Sequence, residues 1–228
     1  VLFSDILKVG LVGSVSTVAT NLTIGVTTAL VGGFGTAAIA GYGTASRLEY
    51  LLVPLVFGLG APLVAMVGTC IGAGQRERAL HATWIGAAIA CAMTEAIGLW
   101  AAVFPYQWLS LFNSDPAMIE ADSLYLRAVG PVYGFFGVGL VLYFASQGAG
   151  RLRWPVTANL VRLVVAALGG WLAWRWSSGL TGIFVAQGVA LVLYGLVSAA
   201  AIAGGAWFGP VGRPRRTADL LRRVPVAV

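Results

Sequence analysis

Six long apolar runs dictate what this chain can become. They occupy about residues 9–32, 44–69, 80–104, 123–147, 155–176 and 180–205, and each exceeds the ~20 residues that an α-helix needs to cross a hydrocarbon core of ~30 Å. That core holds no water, so each backbone N–H and C=O must bond within a helix or a closed barrel. Runs of this length specify helices. The expected fold class is an all-α membrane protein with six transmembrane helices over residues 1–206. With 59% hydrophobic and 10% charged residues, against ~25% charged in an ordinary soluble domain, a soluble fold is excluded.

Charge outside the runs sets the orientation. Lys8 precedes the first run, Arg76 and Arg78 follow the second, and Arg151 and Arg153 follow the fourth. Arg213, Arg215, Arg216, Arg222 and Arg223 crowd the segment after the sixth. The opposite connections hold Asp115, Glu120 and Asp122, or, over 33–43, no charge. By the positive-inside rule both termini are expected to be cytoplasmic, with 207–228 as a basic cytoplasmic tail; the expected location is the inner (plasma) membrane, as a multi-pass protein. The net charge of +6 is then a membrane flank; no nucleic-acid partner is expected, because no aromatic-interleaved basic surface accompanies it. The chain begins at Val1 without an initiator Met and shows no signal-peptide pattern, so no signal peptide is expected, and a start partway through a longer protein and a self-contained half that pairs with a second copy both stay open. Cys70 and Cys91 show no metal-ligand spacing and read as core residues.

Intramembrane polar groups mark the candidate site. Arg47 and Glu49 lie in the first turns of the second helix, where a charge must face protein, a partner or water. By rise per residue, Glu49, Glu95 on the third helix and Arg127 on the fourth sit at comparable depths of ~7, ~13 and ~9 Å from the outer side. That trio is a candidate ion- or proton-coupling site, with Glu49 leading, Glu95 second, and Arg47 and Arg127 as charge partners. A structural pair, or snorkelling to the headgroups, is the competing reading. Pro54 and Pro62 are expected to kink the second helix.

The first helix carries two polar stripes: Ser14, Thr17, Asn21, Gly25 and Thr28 on one, Ser16, Thr20, Thr23 and Thr27 on the other. One is expected to line an aqueous cavity and the other to pack against a neighbouring helix. The candidate substrate cavity combines Thr17, Thr20 and Asn21 with Tyr133, Phe136 and Tyr143 of the glycine-rich fourth helix, whose rings suit an organic cation. Arg162, near the inner end of the fifth run, is expected to snorkel to the surface. The sequence has no GxxxxGKS/T loop, no nucleophile elbow and no metal motif, and its single histidine, His81, stands alone. Neither an enzyme nor a cofactor is expected.

Three stretches occur in order: Arg47-Leu48-Glu49 leading to Phe57-Gly58-Leu59-Gly60 and the 72–79 segment GAGQRERA; LFNSDP at 111–116 followed by Tyr125-Leu126; and QGAGR at 147–151 followed by Pro155 and Asn159. Over roughly residues 5–205 the chain resembles the C-terminal half of the multidrug and toxic compound extrusion (MATE) transporters. That resemblance implies a six-helix half-bundle of a secondary transporter, exporting cationic or amphiphilic drugs in exchange for protons or sodium around a central cavity. The partners it implies are the small-molecule substrate, membrane lipid, and an N-terminal six-helix half or a second copy. The acids that sodium-coupled members carry in the first and fourth helices are absent here, where Thr20, Asn21 and 133–136 stand, so H+ is preferred to Na+ as the coupling ion. A lipid-linked or polysaccharide flippase, or a non-transporting scaffold or channel, are the alternatives.

Overall fold

The computed structural model describes residues 2–112, 116–176 and 178–207, and among these every regular element is helical. In chain order they are α1 (Leu2–Gly32), α2 (Thr36–Ala45), α3 (Arg47–Gly72), α4 (Arg76–Val103), the short α5 (Pro105–Leu109), α6 (Pro116–Val129), a 3-10 turn over Gly130–Val132, α7 (Tyr133–Gly148), α8 (Arg153–Arg175) and α9 (Gly179–Ala203). Six stretches of the described chain are long and apolar enough to span a membrane.

Two of these spans differ from the expectation, and both differences matter for the site. The connection over 33–43 is not a plain loop: α2 starts at Thr36, and the second span runs over Ala38–Gly72. The span is interrupted at Ser46, where the side-chain hydroxyl donates to the Gly43 carbonyl at 3.2 Å, a local bond that competes with the helical ladder. By contrast, α3 continues as one helix through Pro54 and Pro62. In the fourth span the acidic stretch is helical from Pro116 on, and Asp115 lies outside the described residues. Asp122 belongs to α6 and is fully buried rather than lying in an outer loop. The break there falls at Pro131, which cannot donate to the ladder and sits in the 3-10 turn between α6 and α7.

Apolar association gains little in lipid, so these helices are held by close packing and by polar contacts between them. α7 packs against α3, α4 and α9, while α8 packs against α9 and α1. One tight approach is between α4 and the 3-10 turn. A methyl on Gly130 would lie 2.6 Å from the Gly98 carbonyl, so the two backbones meet only because both residues are glycine. The larger core gathers Tyr42, Leu48, Leu52, Tyr125, Tyr133, Phe136 and Phe184 between α2, α3, α6, α7 and α9. Within it Tyr125 meets Tyr42 edge-on at 5.4 Å and Phe184 edge-on at 5.2 Å. Of the segment expected as a tail, Trp207 is described. It is buried, and its indole N–H donates to Ser146 Oγ on α7 at 3.1 Å; residues 208–228, with the arginine cluster, lie outside the described residues.

Candidate functional site

α1 places its two stripes as their spacing on the helix requires. Ser16, Thr23 and Thr27 are buried, whereas Thr17 and Asn21 are exposed on the side of a cavity. The hydroxyls satisfy themselves along the helix: Thr17, Thr23, Thr27 and Thr28 each donate to the carbonyl four residues earlier. The buried stripe is clamped to α8 by Asn159, whose Nδ2 lies 2.7 Å from the Ser16 carbonyl, 2.9 Å from Ser16 Oγ and 2.9 Å from Thr20 Oγ1. Thr27 meets Gln187 of α9 at 3.5 Å.

The cavity has a volume of about 230 Å³ and lies between α1, α2, α3, α7, α8 and α9. Hydroxyls and amides of α1 form one wall; Tyr42, Tyr50, Phe136, Tyr143 and Tyr194 supply rings; Glu49, Asn159 and Arg162 bring charge and polarity. At its wall Arg162 Nη2 lies 3.5 Å from Glu49 Oε2, and the two side chains are 3% and 16% exposed. Tyr125, buried behind the wall on α6, donates its hydroxyl to Glu49 Oε1. The guanidinium also lies over the rings of Phe136 and Tyr194, at 5.7 and 5.9 Å from their centroids, contacts worth ~0.5–2 kcal/mol each depending on desolvation. Glu49 is therefore held from behind by a cation and a phenol, and its remaining exposed edge faces the cavity.

The location of the second span explains this position. Because the span starts at Ala38 rather than Thr44, Glu49 lies eleven residues from its end, about 16 Å deep instead of ~7 Å. Arg162, the tenth residue of α8, is some 13 Å from the nearer end of its helix. The two meet near mid-bundle. Arg162 does not snorkel: it is 2% exposed.

Of the residues expected in a cavity, Thr17, Thr20, Asn21, Phe136 and Tyr143 line this one, while Tyr133 is fully buried and does not. The expected trio is not assembled. Glu95 is absent from the lining; its Oε2 accepts the Gly134 N–H at 2.7 Å, a free donor at the start of α7. Arg47 and Arg127 are not the partners of Glu49. Arg47 is exposed and stacks over Phe112 at 5.6 Å, and Arg127 is exposed on α6. The partner is Arg162, because depth in the bundle rather than nearness in sequence brings charges together. Among the described residues no group of three or more His, Cys, Asp or Glu is placed to hold a metal ion.

Six apolar spans, five of them lining a ring-walled cavity with an ion pair in its wall, have the build of a polytopic membrane protein. Comparison with known proteins makes the class specific. The family model MatE matches residues 14–172, and the chain belongs to that family of membrane transporters. By sequence it is similar to the FAD transporter of Shewanella oneidensis, 28% identical over 155 residues that cover 66% of this chain and 33% of that protein. It is also similar to the probable multidrug resistance protein NorM of Thermotoga maritima, 24% identical over 112 residues covering 49% of this chain and 24% of that one. Its fold matches the MATE transporter ClbM, solved in complex with Rb+, with a TM-score of 0.80 at 19% identity, over 96% of this chain and 49% of that one. The chain thus spans no more than about half the length of these relatives.

Proposed function

We propose that this chain forms the six-helix half of a secondary active transporter that exports cationic or amphiphilic organic compounds in exchange for protons, with Glu49 as the proton site and the cavity beside it as the substrate site. The second half is a further six-helix segment or a second copy, the membrane is the plasma membrane, and both termini are cytoplasmic. The observation that carries the reading is the Glu49–Arg162 pair in the cavity wall. With Glu49 ionised the pair is neutral. With a proton on Glu49 the same wall carries the single positive charge of Arg162. An organic cation held against the rings is tolerated in the first state and repelled in the second, so loading the proton disfavours the substrate, as exchange requires.

One observation favours a second reading. Arg162 is the charge left behind when Glu49 is neutral, and an anionic substrate would then be attracted. The name of the Shewanella relative points to such a substrate, a dinucleotide bearing phosphates. The two readings predict opposite signs. Acidification weakens binding of a lipophilic cation and strengthens binding of an aromatic phosphate.

The test is Glu49→Gln in the complete transporter, scored as proton-driven export of a cationic dye from cells alongside the amount of protein in the membrane. Export is expected to be lost. Because this change strands Arg162, the double variant Glu49→Gln/Arg162→Gln is the control: it should restore protein level without restoring exchange. Export equal to wild type in either variant would remove Glu49 from the mechanism.

A further inference from the structure

Asp122 stands outside the cavity, on α6 one turn before Tyr125, and is fully buried. Neither of its carboxylate oxygens has a hydrogen-bond partner among the described residues. It is pressed into α2. A methyl group on Gly41 would collide with Asp122 Oδ1 and lie 3.3 Å from the Met118 carbonyl, so glycine at that position is what lets α2 close over the acid. α2 itself leans mainly on α6, then on α1, and only lightly on α3.

Among the described residues, the ionisable groups on the elements packed against this part of α6 are Tyr42 on α2, Cys91 and Glu95 on α4, Tyr106 on α5 and Tyr194 on α9, with Glu120, Tyr125 and Arg127 on α6 itself. None of them pairs with Asp122. Arg127 and Glu120 are exposed, Tyr125 is committed to Glu49, and Glu95 to the Gly134 N–H. A carboxylate deprived of water, donors and counter-charge is strongly unfavourable, whereas a neutral carboxyl is tolerated far better. The closed contact between α2 and α6 therefore suits the neutral acid. An ionised Asp122 reaches water only if α2 parts from α6.

We propose that Asp122 is a second proton-binding site, separate from the cavity, whose occupancy sets whether α2 is docked on α6. The consequence reaches the cavity through α2. Tyr42 and Ser46 both line it, Ser46 joins α2 to α3 three residues before Glu49, and Tyr42 packs edge-on against the same Tyr125 that bonds Glu49. Release of α2 withdraws that wall. Proton occupancy at Glu49 sets the charge of the cavity, and proton occupancy at Asp122 sets whether one side of it is closed.

The test needs neither substrate nor transport, so it is independent of the role given to Glu49. In the purified full-length protein in lipid nanodiscs, with Cys70 and Cys91 replaced by Ala, a single thiol is introduced either by Ala38→Cys, on the buried face of α2, or by Gly43→Cys, on its exposed face. Maleimide reacts with the thiolate, so the ratio of the two labelling rates removes the pH dependence that both thiols share, and the same ratio in Asp122→Asn is the reference for the rest. That ratio is expected to rise about tenfold from pH ~5 to pH ~9, the factor set by exposing an otherwise unsatisfied buried group. Asp122→Asn should hold it at its low value throughout. Gly41→Ala, which wedges the contact apart, should raise it already at acid pH, and this second variant serves if Asp122→Asn does not fold. A ratio flat with pH in the parent protein, the same pH response in Asp122→Asn, or no change at acid pH in Gly41→Ala would each overturn the proposal.

Discussion

Removing either member of the Glu49–Arg162 pair should destabilise the bundle, but not equally. Breaking a buried ion pair costs ~3–5 kcal/mol when the surviving charge has no access to water. Arg162 is 3% exposed at its side chain, so Glu49→Gln leaves a guanidinium without a counter-charge, beside a neutral amide and the faces of Phe136 and Tyr194, and the cost should approach ~3 kcal/mol. Glu49 is 16% exposed, edges the cavity and keeps the Tyr125 hydroxyl. For Arg162→Gln the penalty should stay near ~1–3 kcal/mol. The double variant has no stranded charge and should be more stable than Glu49→Gln alone, giving a coupling energy of ~1–3 kcal/mol. The assay is reversible unfolding in mixed micelles for the four proteins of the cycle. Effects that add to within ~0.5 kcal/mol would refute the claim that these side chains interact, and equal costs for the two single variants would refute the burial argument.

Other consequences are equally direct. Tyr125→Phe keeps the ring contacts with Tyr42 and Phe184 but removes the donor to Glu49; it should cost ~1.5–3 kcal/mol in the same unfolding assay, and only ~0.5–1.5 kcal/mol in a Glu49→Gln background, where the hydroxyl donates to a neutral amide oxygen instead of a carboxylate. Asn159→Leu deletes three contacts to α1, so hydrogen exchange of α1 amides should accelerate while α9 amides remain protected. Glu95→Gln retains an acceptor for the Gly134 N–H and should be nearly neutral in stability, whereas Glu95→Ala frees a donor at the start of α7 and should cost ~1–3 kcal/mol. Gly98→Ala drives a methyl into the 3-10 turn at Gly130 and should lower stability by ~1–3 kcal/mol through overpacking.

The six spans were legible because 20-odd apolar residues in a row admit few folds, and the polar stripes of α1 were legible because helical spacing alone separates Thr17 and Asn21 from Thr23 and Thr27. What the sequence concealed has a common cause. Gly33, Gly35, Gly41 and Gly43 make residues 33–43 read as a loop, yet α2 is a helix whose Gly41 makes room for Asp122. Missing α2 placed Glu49 too shallow and hid its partner. The apolar run from 155 places Arg162 near a helix end, whereas α8 begins at Arg153 and the guanidinium turns inward to Glu49, Phe136 and Tyr194. Its depth beside a run of uncharged residues was the signal available. The Tyr125 and Asn159 contacts join helices that are distant in the chain, and no local pattern encodes them.

Exchange by this route requires a proton at Glu49 and a cationic substrate to compete for the same cavity. Calorimetric titration of the purified complete transporter with tetraphenylphosphonium, at an acid and at an alkaline pH, measures that competition without transport. With Asp122→Asn in both proteins, so that α2 stays docked at either pH, the protein that keeps Glu49 and Arg162 should bind the cation more weakly in acid, and the one carrying Glu49→Gln/Arg162→Gln should bind it alike at both. Binding in the latter that still weakens in acid to the same extent as in the former would place the competing proton elsewhere and contradict the assignment of Glu49.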